Sequence, residues 1–110
     1  MNHVFLSGNA GADPALTTVS TAAGDTKQVT FSIAVTDKCY GTENKKIPDR
    51  TDWFTVVFRG KNAEVIAEKV KKGSRVTVSG KIHVKDYEKD GVRKVFVEIE
   101  GENFEINHHL

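Results

Sequence analysis

The sequence predicts an all-β fold, a small closed barrel of five strands with one helix between strands three and four. Three observations predict it. Apolar and polar residues alternate with a period of two in residues 29–35 and 76–84, the pattern of strands with one buried face. Residues 61–72 alone carry a helical stripe, with Ala63, Ile66, Ala67 and Val70 at i, i+3, i+4 and i+7. One short helix cannot cover both faces of an open five-stranded sheet, whereas a sheet closed on itself needs only a plug at one end. A flat α+β sheet is the alternative.

The elements follow in order. Val4, Phe5 and Leu6 form a short first strand, ended by the run Gly8-Asn9-Ala10-Gly11. Pro14 disfavours a helical Asp13 and marks a turn. Residues 17–27 are mostly Thr, Ser, Ala and Gly with little to bury, and read as a strand edge or loop. In the second strand Val29, Phe31, Ile33 and Val35 alternate with Thr30, Ser32, Ala34 and Thr36. Residues 39–52 are polar, with Gly41, Asn44, Lys45, Lys46 and Pro48, and read as a long loop or exposed hairpin. The third strand, residues 53–58, is a β-prone run with almost no polar break, consistent with burial on both faces.

Gly60 ends that strand and the helix follows. Gly73 stands where a left-handed cap is wanted, and Lys69, Lys71 and Lys72 suit the negative end of the helix dipole. The fourth strand carries Val76, Val78, Gly80, Ile82 and Val84, with Gly80 marking a bulge or bend. Asp90-Gly91 is a hairpin turn into the fifth strand, residues 92–106. The strand count and the helix position fit a barrel of the oligonucleotide/oligosaccharide-binding type.

Composition narrows the function. The chain has 110 residues, enough for one domain and too few for two ordinary ones. No apolar run approaches the ~18 residues of a membrane helix, and the start lacks the basic region of a signal peptide. No membrane association is expected. The lone Cys39 cannot form an internal disulfide and points to a reducing, cytoplasmic setting. Neither a phosphate-loop motif nor a dinucleotide glycine fingerprint is present. Cys39 has no histidine suggested as a partner, His108-His109 is a terminal pair, and Asp49, Asp52, Asp86, Glu88 and Asp90 sit in or beside turns. The expectation is a protein with no enzyme activity, no cofactor and no metal.

The net charge of +1 excludes nothing once its distribution is seen. Residues 1–37 hold one lysine against three aspartates, a net −2. Residues 38–97 hold 15 basic groups and 8 acids, a net +7, and residues 98–110 hold four glutamates and no Lys or Arg, a net −4. Within the basic middle stand the three aromatics that carry a polar group: Tyr40 beside Lys38, Trp53 near Arg50, and Tyr87 between Lys85 and Lys89. Rings that stack on bases, next to cations that neutralise phosphates, are what a single strand of nucleic acid requires. The pattern leaves Trp53 open between core and surface, favours the surface for Tyr87, and assigns the six phenylalanines mostly to the core.

Four stretches carry a resemblance: residues 8–14 (GNAGADP), 31–35 (FSIAV), 51–57 with 60–64 (TDWFTVV and GKNAE), and 72–80 (KGSRVTVSG). Through them, and over residues 2–106, the chain resembles the bacterial single-stranded DNA-binding proteins. The resemblance implies an OB-fold domain over residues 1–107, with 108–110 a C-terminal end lacking the family's acidic recruiting tail. It implies sequence-tolerant binding of single-stranded DNA in replication, recombination and repair, by a homotetramer, with a dimer as the alternative. It implies that Trp53 and Tyr87 stack on bases, that Lys61 and Lys72 lie near the DNA path, and that His83 and Lys85 lead to the Tyr87 hairpin. Cys39 stands where the family often has Trp, so Tyr40 is the substitute, and Arg59 stands where it often has an aromatic. A guanidinium also stacks on flat rings. Replication and repair proteins are expected partners where a tail follows. The alternative reading is a tail-less replication-restart accessory acting mainly through protein contacts.

Overall fold

The computed structural model describes residues 1–37 and 49–107. The period-two alternation becomes burial at Val29, Phe31 and Ile33, with Thr30 between them exposed. Among the apolar side chains of residues 76–84 it does so only at Val76 and Val78; Ile82 and Val84 are 41% and 67% exposed, because that part of the strand runs out beyond the barrel. In chain order the elements are β1 (Val4–Ala10), β2 (Ala15–Thr21), β3 (Gly24–Asp37), β4 (Arg50–Arg59), α1 (Lys61–Lys69), β5 (Arg75–Lys89) and β6 (Val92–Asn107). The sheet runs β1-β5-β6-β4-β3-β2, and a further pairing of β1 with β3 closes it. Closure follows from the length of β1. It pairs with β5 from Val4 to Asn9 and crosses to β3 at Asn9 and Ala10. The β4–β6 ladder is parallel and the others are antiparallel.

The barrel is as expected, with one strand more than five. β2 is the stretch that read as an edge or loop. It pairs with β3 from Ala15↔Thr30 to Thr21↔Gly24, yet almost all its side chains are exposed. A ladder held by backbone hydrogen bonds, with water on both faces, leaves no apolar period to read. The helix, between the third and fourth of the expected strands, thus lies between β4 and β5.

The helix is also shorter than its stripe. Val70 is fully buried and extended (φ −90°, ψ 130°), so the chain leaves α1 after Lys69. Lys71 to Ser74 form a turn closed by the Ser74 N–H to Lys71 O bond (2.9 Å), with Gly73 at φ 89° inside it. The turn docks on the end of β1: Gly73 N–H donates to Ala10 O (2.8 Å) and Ala10 N–H to Ser74 O (2.9 Å).

The core gathers β3, β4, α1, β5 and β6 around Ile33, Val56, Phe58, Ile66, Val76, Val78 and Ile99. Phe58 stacks near Phe31 (6.4 Å, 14°) and meets Phe104 edge to face (5.6 Å, 80°). The curvature expected at Gly80 is a register shift: Ser79 pairs with Asn103, Gly80 with Gly101, and Glu102 is the extra residue. A Cβ on Gly80 would lie 2.0 Å from the carbonyl oxygen of Glu100, so the sheet cannot close this tightly over a side chain. Beyond the barrel, β5 and β6 continue as a ribbon to the Asp90-Gly91 turn. Both turn residues have positive φ (54° and 77°), as a type I′ hairpin requires. Among the described residues no helix is long and apolar enough to cross a membrane.

Candidate nucleic-acid interface

Strand alternation sorts β4 into two sets. Phe54, Val56 and Phe58 point to the core, while Trp53, Thr55, Val57 and Arg59 point outward. Burial on both faces holds for Val56, Val57 and Phe58, not for the start of the strand, where Trp53 is 63% exposed. The surface reading of Trp53 is the one realised. Its neighbour across the ladder is the small Ala34. Its ring rests on the backbone of Gly11, where a Cβ would lie 2.4 Å from ring carbon Cζ3. Gly11 is itself pinned, its N–H donating to Ser32 O at 2.9 Å. The indole is therefore supported on one side and open to solvent on the other.

The outward row of β6 adjoins that of β4, since Thr55 pairs with Glu98 and Val57 with Glu100. The outward row of β5 comes next: His83 faces Glu98, Lys85 faces Phe96, and Tyr87 faces Lys94. Three strands thus place Trp53, Arg59, Lys85 and Tyr87 on one continuous outer face. Tyr87 is exposed, and its ring meets Phe96 edge to face at 5.9 Å and 68°. Arg59 lies across the strands, with Nε donating to Gln28 Oε1 (3.0 Å) and Nη1 3.9 Å from Glu100 Oε1. Lys85 Nζ is 2.9 Å from Glu98 Oε1.

Lys61 and Lys72 are placed differently. Lys61 opens α1 at the end of the barrel and Lys72 sits in the turn that follows it. Both are exposed, and the Lys72 backbone N–H donates to Asp13 Oδ1 at 2.7 Å. Among the described residues no hydrogen bond or ion pair ties either side chain to the aromatic strands. Tyr40 and Cys39 lie outside the described residues.

Two of the six phenylalanines leave the core. Phe5 is 70% exposed on β1 and Phe96 is 40% exposed on the ribbon. Phe96 was legible: along β6 it alternates in step with Lys94, Glu98 and Glu100, the charged row, and not with Val95, Val97 and Ile99. A ribbon projecting from a barrel has no second layer to bury an apolar ring.

The family model described as "Single-strand binding protein family" matches residues 1–107. The chain belongs to the single-strand binding protein family. Members similar to it include the single-stranded DNA-binding protein of Bacteroides thetaiotaomicron, 33% identical over 108 residues, with 96% of this chain and 65% of that protein covered. Single-stranded DNA-binding protein 1 of Xylella fastidiosa is 34% identical over 100 residues, covering 90% of this chain and 71% of that one. The chain thus spans just under two thirds of the first relative's length. The solved structure described as "Plasmodium falciparum SSB complex with ssDNA" superposes with a TM-score of 0.82 at 25% identity, covering 98% of this chain and 96% of that one. The family's barrel is therefore present over nearly the whole described chain.

Proposed function

We propose that this family member binds single-stranded DNA with little sequence preference, stacking bases on Trp53 and Tyr87 while Arg59, Lys61, Lys72 and Lys85 neutralise phosphates. One observation carries the reading: an indole supported from beneath by Gly11 and open above, on the same outer face as the Tyr87–Phe96 pair. Exposed rings on rigid strands offer stacking surfaces with little entropy left to lose, and stacking tolerates any base. The names of the similar proteins and the single-stranded DNA in the similar complex support it. Tyr40 is included as a third ring on sequence grounds alone. The protein acts by binding and not by catalysis, in the cytoplasm, covering strands opened in replication, recombination and repair.

It does so as a homo-oligomer, a tetramer in this reading. Among the described residues Val4 to Gly8 of β1 pair with β5 on one side only, and Phe5 beside that edge is exposed. An unpaired strand edge with an apolar side chain is a natural seam between copies.

The test is a titration with oligo-dT at several salt concentrations, with the fluorescence of the single Trp53 as reporter. Quenching that saturates and weakens as salt rises is expected. No quenching and no co-elution at low salt would overturn the reading. Trp53→Ala should weaken binding by about 1–3 kcal/mol.

A further inference from the structure

The acidic last strand does more than balance the charge of the chain. Three side chains in a row on β5 each meet a glutamate on β6. Lys81 Nζ is 3.9 Å from Glu102 Oε1, His83 Nε2 is 2.6 Å from Glu100 Oε2, and Lys85 Nζ is 2.9 Å from Glu98 Oε1. The other oxygen of Glu100 reaches toward Arg59 on β4. The register explains the ladder. Lys81 is opposite Glu100 and His83 opposite Glu98, so each partner is the diagonal neighbour two residues further along β6. Glu98 is the most enclosed of the row, its side chain 14% exposed against 44% for Glu100.

Lys85 and Arg59 are groups assigned above to phosphate. By contrast, among the described residues Lys61, Lys72, Lys89 and Lys94 have no carboxylate partner. The paired cations Lys85 and Arg59 lie where the outer face crosses the barrel, and the unpaired Lys89 and Lys94 lie further out on the ribbon, Lys94 directly opposite Tyr87.

We propose that Glu98 and Glu100 are built-in competitors for the DNA backbone, holding Lys85, His83 and Arg59 in the free protein and setting how tightly the face binds. The inference rests on the reading of this face as the DNA surface. Lys85, His83 and Arg59 each keep close to half of their side-chain surface in water, so the pairs are weak and do not close the face to a polyanion. They lower its affinity. An arriving phosphate must replace a carboxylate, and the displaced carboxylate, now beside the phosphate, draws a cation back from solution. Net counterion release falls, so binding is weaker and less salt-dependent than a count of Lys and Arg implies. A protein of this kind would release its strand readily to enzymes that act on it.

The experiment compares the intact chain with Glu98→Gln, Glu100→Gln and Glu64→Gln in oligo-dT titrations across a salt series, with melting curves for each. Glutamine keeps the shape and removes the charge. Glu64, exposed on α1, makes the same change in net charge away from the ladder. Glu98→Gln and Glu100→Gln should each tighten binding roughly three- to tenfold at low salt, the scale of one unit charge at contact distance in water. Each should also steepen the log–log salt slope by about 0.7. Glu64→Gln should do neither. If all three variants shift affinity alike, only overall charge matters, and the competitor role is overturned while DNA binding stands. Weaker binding by Glu98→Gln at unchanged melting temperature would also overturn it, because the carboxylate would then be positioning Lys85 for phosphate. If the unaltered protein fails to bind oligo-dT, the functional reading falls and the competitor role with it.

Discussion

Trp53 rests on Gly11: a single added methyl at position 11 would lie 2.4 Å from ring carbon Cζ3 of the indole. The relationship joins the end of β1's loop to the start of β4, 42 residues later in the chain. It also predicts a variant that damages the site without touching a DNA-binding side chain. Gly11→Ala forces the ring off its support. Oligo-dT binding should weaken by up to the ~1–3 kcal/mol that one stacked base is worth. The fluorescence maximum of Trp53 should move in the free protein. Unchanged emission and affinity would show that the support is unimportant.

Tyr87 and Phe96 form a pair on the ribbon, and their effects should couple. Tyr87→Ala and Phe96→Ala are each expected to weaken binding. The double variant should lose less than the sum, by about 0.5–1.5 kcal/mol, because either truncation already leaves the other ring without its edge-to-face neighbour. A double-mutant cycle in oligo-dT affinity measures this. Strict additivity would mean that the two rings meet DNA independently.

Phe58 is 1% exposed and touches both Phe31 and Phe104. Phe58→Ala should destabilise the fold by about 3–5 kcal/mol, through lost burial and the cavity left behind. Denaturant unfolding measures it. Trp53→Ala, removing a ring that is mostly in water, should change stability by no more than about 0.5–1 kcal/mol. The contrast separates the two aromatic roles that strand β4 carries on its opposite faces.

Raising salt should weaken binding with a log–log slope of roughly −0.7 for each phosphate neutralised. Removing Lys72, whose side chain has no carboxylate partner among the described residues, by Lys72→Gln, should lower the slope by a full contact. Lys85→Gln should lower it by less, since Glu98 already holds Lys85 at 2.9 Å. A salt series on both variants decides between equal and unequal loss.

Local rules in the sequence determined which residues meet the core. The alternation became burial at Val29, Phe31 and Ile33 and at Val76 and Val78, though not at Ile82 and Val84 on the ribbon; the stripe Ala63–Ile66–Val70 became burial, and Asp90-Gly91 became the turn it encodes. These features depend on a residue and its near neighbours, so periodicity and turn chemistry reveal them. The family could be read from residue types at their spacing, and so could the aromatics and cations of the face proposed to bind DNA.

Other features depended on the closed sheet. β2 reads in the sequence only as a strand edge or loop, because its ladder is held by backbone groups, with side chains in water. The helix ended early because Val70 was drawn into the core. Trp53 faces solvent because β4 lies against Gly11 and Ala34. The cations of the basic middle are partly occupied because the register of β5 on β6 sets Glu98, Glu100 and Glu102 beside them. Strand register and cross-strand neighbours join residues far apart in the chain and leave little trace in local composition. The sequence by itself determined a β-barrel with aromatics among cations. Only the tertiary structure decided which ring is supported and exposed, and which cations already have a partner.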